Sequence, residues 1–193
     1  MSEPAVRSGV RMLLQLSGVP GTGKSTLARG LAAGLDLVVL DTDVLKSALL
    51  STDVPFAVAG RATYAAVLAL AGDLLAQGRS AVIDSPCRYV DLLAAGQRVA
   101  TDAGVPYRLV ELWADDPAAL LPRLTARDHR QSQVTPAVPE WELGTPVDTL
   151  HGWQEQLVRP QTGWLRVDAL LPPDEVLRLT LEYLGAVTRG SGA

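Results

Sequence analysis

Gly18-Val19-Pro20-Gly21-Thr22-Gly23-Lys24-Ser25 is the stretch on which the reading of this 193-residue chain turns. It satisfies G-x-x-x-x-G-K-[ST], a pattern that a chain of this length meets by chance on the order of once in a hundred cases. Residues 11–17 (RMLLQLS) before it form a short apolar run of strand type, and residues 24–35 (KSTLARGLAAGL) after it repeat apolar residues at helical spacing. A glycine-rich turn from strand to helix lets successive N–H groups point inward at phosphate oxygens, and the helix N-terminus adds its positive dipole end. Gly18, Pro20, Gly21, Thr22, Gly23, Lys24, Ser25 and Thr26 are therefore the expected nucleotide contacts. Lys24 would reach the β- and γ-phosphates as a compact charge, and the Ser25 hydroxyl would ligate Mg²⁺.

Outward from the loop, strand and helix patterns alternate. Residues 37–40 (LVVL) read as a second buried strand, closed by Asp41-Thr42-Asp43 and followed by a helix-like VLKSALL. Residues 51–60, with Pro55 and Gly60, read as a loop, and 61–77 as a helix stopped by Gly78. A third strand (SAVID, 80–84) is broken by Ser85-Pro86, a helix spans 89–103, and a fourth strand spans 107–114. A helix then opens at Asp115-Asp116-Pro117, with proline in the first turn. Residues 129–147 show no periodicity, which suggests a lid over about 128–148. A helix over 149–158, a fifth strand (WLRVD, 164–168) and a closing helix over 172–184 complete the pattern. The expected fold is an α/β three-layer sandwich: about five parallel strands in one domain over 11–187, helices on both faces, short tails at 1–10 and 188–193, and ligands at the carboxyl ends of the strands.

Those strand ends carry the candidate chemistry. Asp84 closes the third strand, where a carboxylate grips Mg²⁺ directly or through water, with a helix cap as the rival role. Asp41 and Asp43 close the second, and both would line the cleft if the strand persisted, because residues two apart share a face. Either could take the proton of an attacking hydroxyl, while capping of VLKSALL is the competing role for Asp43. Lys46, one helical turn beyond Asp43, could meet an anionic substrate, and Arg88 at the cleft rim could bind the acceptor. Arg123 and Arg127 share a helical face, and with Arg130 they are candidates to stabilise charge spreading on the γ-phosphate. Cys87 lacks a partner histidine and reads as a spacer, His129 and His151 lack metal-ligand spacing, and the tryptophans read as core or lid packing.

Composition sets outer bounds. Net charge of −4 argues against non-specific duplex nucleic-acid binding. A single cysteine excludes an intramolecular disulfide and a multi-cysteine zinc site and fits a reducing compartment, with the cytoplasm as default. No apolar run approaches the roughly 20 residues of a membrane span, so no membrane partner is expected. Lys24 and Lys46 are the only lysines in an arginine-rich chain, which suggests work that arginine cannot do.

Taken together, GVPGTGKSTLARGLA, VLDTDVLKSAL, AVIDSP and LLPRLTAR resemble the small P-loop kinases, among them the polynucleotide 5′-hydroxyl kinase, chloramphenicol phosphotransferase, gluconate kinase and zeta-toxin group. That group is often labelled generically as AAA-type ATPases. No long AAA-type Walker B strand, sensor arginine segment or helical lid domain is visible in the sequence, so the mechanical-ATPase sense of the label does not fit. The resemblance implies a general base at the end of the second strand, mapped first onto Asp43 and second onto Asp41. It also implies a basic acceptor contact at Lys46 and a lid arginine at Arg127 or Arg123. The expectation is an ATP- and Mg²⁺-dependent kinase acting on a hydroxyl of a small molecule or nucleic-acid end. The alternative is a nucleotide-binding switch or ATPase without an acceptor. An N/T-K-x-D guanine-reading motif is not found, which favours ATP.

Overall fold

A computed structural model describes residues 11–126 and 145–190, with side chains as far as residue 185. Five strands form one parallel sheet in the order β2-β3-β1-β4-β5: β1 Leu13–Ser17, β2 Leu37–Asp41, β3 Ser80–Asp84, β4 Tyr107–Trp113 and β5 Trp164–Asp168. β1 is central and buried along its whole length, as expected of a strand covered on both faces. Alternation divides its side chains. Leu14 and Leu16 join Val82, Val110 and Leu112 in a core closed by α1 (Lys24–Gly34) and α7 (Pro173–Gly190). Leu13 packs with Ala81 and Ile83 on the opposite face, under Val67, Ala71 and Leu75 of α3 (Phe56–Ala76) and Ala100 of α4 (Val90–Asp102).

Several element boundaries depart from the sequence reading. α2 (Thr42–Leu50) begins directly after β2, because the Asp41 carboxylate accepts from the N–H groups of Asp43 (2.9 Å) and Val44 (3.2 Å) and ends the strand by capping a helix. α3 starts at Phe56 rather than after Gly60, which sits inside the helix. After β4, a 3₁₀ turn (Pro117–Leu120) capped by Asp116 runs into the short α5 (Leu121–Thr125). α6 (Pro146–Glu155) opens three residues earlier than periodicity suggested, through a capping box in which Thr145 and Asp148 bond each other's backbone N–H. Residues 145–148 thus belong to a helix start, while the rest of the expected lid, with Arg127, Arg130 and His129, lies outside the described residues. α7 continues to Gly190, into the expected tail.

The expectation of no span-length apolar helix also needs correction. α3 is 21 residues long with a mean hydropathy of 1.3, long and apolar enough by those measures alone. Every fourth residue, Ala59, Thr63, Val67, Ala71 and Leu75, is buried inside the protein, and the last three pack with Leu13, Ala81 and Ile83 of the sheet. The helix serves the core of an α/β domain.

Candidate active site

The octapeptide joins β1 to α1 at the carboxyl edge of the sheet. Gly18 has a φ of 143°, and a Cβ there would lie 2.7 Å from the Leu112 carbonyl, so only glycine lets the chain pass β4 at this point. Gly23 caps α1 with a φ of 90° and no side-chain cap, and a Cβ on it would meet nothing within 4 Å. The first turn of α1 thus lines the cleft with no side-chain cap at Gly23, the arrangement that receives an anion. Thr22 donates its hydroxyl to the Val19 carbonyl (2.8 Å) and Lys24 donates its Nζ to the carbonyls of Gly18 (2.7 Å) and Val19 (3.1 Å), so the loop is braced from within.

A cleft of about 1370 Å³ runs over this loop. Val19 through Leu27 line its floor, with Asp41, Thr42 and Asp43 on one side and Asp84 behind them. Asp41 and Asp84 are direct neighbours in the β2–β3 register, and Thr42 donates its hydroxyl to the Asp84 carbonyl (2.9 Å), which pins the two strand ends together. The sequence reading placed Asp41 and Asp43 on one face by strand alternation. Instead Asp41 is the cap of α2 and Asp43 sits in that helix's first turn, and a helical turn brings both to the cleft.

Asp84 is 5% exposed, and its Oδ2 has no hydrogen-bond partner among the described residues. Burial pushes its carboxyl above the ordinary carboxylate range. The Lys24 charge and the Ser25 hydroxyl oppose that shift, while Asp41 and Asp43 reinforce it. A buried carboxylate oxygen left without a donor beside a serine hydroxyl suits a hard, oxygen-seeking cation. No cluster of three or more His, Cys, Asp or Glu suited to a metal occurs among the described residues. Ser25 and Asp84 therefore fit an ion such as Mg²⁺ that keeps several waters and shares the phosphates of its nucleotide, rather than an all-protein cage.

Beyond the carboxylates the wall changes character. Lys46 rests its Nζ 3.4 Å from the centroid of the Phe56 ring, and Arg88 lies over Trp153 with its Cζ at 5.0 Å. Tyr64 lies near Arg88 and Asp43, with its hydroxyl 3.5 Å from that of Ser85. Burial lowers the Lys46 pKa, with Asp43 opposing and Arg88 reinforcing the shift. At the other end, Arg29, Leu171, Pro173 and Val176 form a rim, and Arg123 donates to the Ala169 carbonyl (2.7 Å), tying α5 to the loop after β5. Gln154 of α6 pairs with both backbone groups of Ala114, at 2.8 and 3.2 Å, which holds Trp153 and Gln156 against the cleft.

All candidates among the described residues except Gly18 line this one cleft; Gly18 packs behind it on Leu112. Thr42, Phe56, Tyr64 and Trp153 were not singled out for it by the sequence. Cys87 is fully buried, with its thiol pushed up to about 12 by burial and the nearby Glu111 charge, in keeping with a spacer. His151 pairs with Glu155 on α6, away from the cleft lining.

Residues 13–144 match the profile of a family described as AAA domain (AAA_33). No curated protein sequence matches the chain. Among solved structures, the chain is similar to a kinase candidate from Chloroflexus aurantiacus (22% identity, TM-score 0.68, covering 93% of this chain and 98% of that one). It is also similar to a gluconokinase from Sinorhizobium meliloti (20% identity, TM-score 0.63, covering 94% and 96%). A third is the APS kinase CysC of Mycobacterium tuberculosis in complex with AMPPNP and APS (21% identity, TM-score 0.58, covering 92% and 99%). At these identities the likeness is one of fold alone.

Proposed function

The chain belongs to the AAA-domain family AAA_33, and from that membership we propose that it is an ATP- and Mg²⁺-dependent kinase that transfers the γ-phosphoryl group to a hydroxyl of a small-molecule acceptor or nucleic-acid end. The observation that carries the proposal is the convergence of a braced phosphate loop, a carboxylate pair at the end of β2 and a partnerless buried carboxylate oxygen at the end of β3 on one cleft. The triphosphate lies along residues 18–26, with Lys24 turning from its own loop carbonyls toward the β- and γ-oxygens. Ser25 and Asp84 would hold Mg²⁺, which would neutralise charge on the phosphates of the nucleotide. Asp43 receives the proton of the acceptor hydroxyl as that oxygen bonds to the γ-phosphorus. The bond from that phosphorus to the bridging oxygen breaks, and ADP departs with the electron pair. Arg123, with Arg127 beyond the described residues, is the candidate cover for the transferred group. Positioning and charge stabilisation supply most of such a rate enhancement.

Incubation with γ-labelled ATP and a set of hydroxyl compounds tests the reading. The expected result is label on an organic product that vanishes with Asp43→Asn while nucleotide affinity stays within a few-fold. Release of label only as free phosphate, whatever is offered, would instead support the nucleotide switch or ATPase. A cytoplasmic setting remains part of the same proposal.

A further inference from the structure

The cleft is strongly positive in a protein that is negative overall. Six basic side chains line it against three carboxylates, in a chain whose net charge is −4, and both lysines of the chain are among the six. The carboxylates cluster at the strand ends, whereas Lys46 and Arg88 stand on the wall beyond them. Both are half-buried, and each rests on an aromatic ring, Phe56 or Trp153, in place of a carboxylate. They are close enough for Arg88 to disfavour the Lys46 charge. Asp43 is the acid near Lys46, and it is the group given the work of accepting a proton.

The buried carboxylate of β4 is neutralised by two guanidiniums. Glu111, 0% exposed, takes Nε of Arg159 at 2.6 Å and Nε of Arg166 at 2.8 Å, and those guanidiniums also stack on Trp113 and Trp164. Two neighbouring cations on aromatic supports that line the cleft, with no ion pair among the described residues, lack the close counter-charge that Glu111 supplies to Arg159 and Arg166.

The geometry points to an acceptor that is itself an anion, a hydroxyl compound bearing a phosphate or carboxylate seated between Lys46 and Arg88, with its hydroxyl presented to Asp43. This inference rests on the kinase reading and adds the acceptor's chemical class. Lys46 supplies a point charge and Arg88 a planar fork, and together they accept either anion. Neutral polyols would bring no counter-ion to Arg88 and leave Lys46 with Asp43 alone.

Inorganic sulfate is the probe, titrated calorimetrically into protein saturated with Mg-AMPPNP so that the phosphate loop is occupied. One saturable site is expected, weakened at least tenfold by Lys46→Met or Arg88→Met and lost in the double variant, with AMPPNP affinity unchanged within twofold. Methionine keeps an apolar stem over each ring, so packing is preserved. Absence of saturable sulfate binding, or equal binding by the double variant, overturns the inference. The same titration on Lys24→Ala protein without nucleotide reads the wall site even if nucleotide binding itself fails, so the two readings fail separately. Turnover of ribose 5-phosphate against ribose and of glycerate against glycerol then separates phosphate from carboxylate; neutral members turned over as fast as their anionic partners would also overturn it.

Discussion

Lys24 braces its own loop and carries the charge that would meet the triphosphate, so its removal tests chemistry more than folding. Lys24→Ala is expected to lower turnover at least a hundredfold while circular dichroism and melting show a folded protein. Asp84 behaves in the opposite sense. Its folded pKa is raised, so the folded chain holds the proton at pH values where the unfolded chain has lost it. Raising the pH through the window just above the ordinary carboxylate range therefore weakens the fold. Asp84→Asn escapes that penalty: in EDTA, urea melts should show the variant gaining on the wild type from pH 4 to pH 8, while Mg²⁺ ceases to tighten its nucleotide binding. Cys87, with its thiol pushed up to about 12, should resist iodoacetamide at pH 8 until the protein is unfolded. The glycine loop was legible because its chemistry is local. The placing of Asp41 and Asp43 was legible only in part: a cap for the following helix was expected at Asp43, whereas the Asp41 carboxylate takes the two N–H groups and starts the helix earlier than strand alternation allows for.

Among the elements, α6 shows how a start signal is hidden. Thr145-Pro146-Val147-Asp148 is a capping box with proline in the first turn, yet it follows an aperiodic stretch that holds two prolines and reads there as more of the same. Thr145→Ala removes the cap and should cost about 1 kcal/mol, a fall in Tm of roughly 2–4 °C in a chain of this size. Because α6 also delivers Trp153 and Gln156 to the cleft, acceptor KM should rise more than nucleotide KM in that variant. α3 was shortened in the sequence reading for a related reason. Gly60 is a poor helix former, but it lies on a helix whose packing against the sheet outweighs a local cost of about 1 kcal/mol.

For the molecule as a whole, the β–α alternation was enough to predict a parallel sheet with ligands at its carboxyl edge. Strand order was beyond the sequence, and it is strand order that sets β1 between β3 and β4 and brings Lys24, Asp43 and Asp84 to one cleft. The aromatic part of the wall, Phe56 and Tyr64 of α3 and Trp153 of α6, was equally hidden, since no local pattern marks residues that meet only across the fold. Binding to the folded state alone stabilises it by mass action, about 2.7 kcal/mol at a hundredfold excess over Kd. Mg-AMPPNP at that excess should therefore raise Tm by roughly 5–11 °C, and EDTA should remove most of the gain.

The guanidinium seated on the Trp153 ring has an optical consequence. An indole reports what touches its face, so a ligand that draws Arg88 away should change the emission as it arrives. Rapid-mixing fluorescence would then time acceptor entry apart from bond-making, with no dye attached.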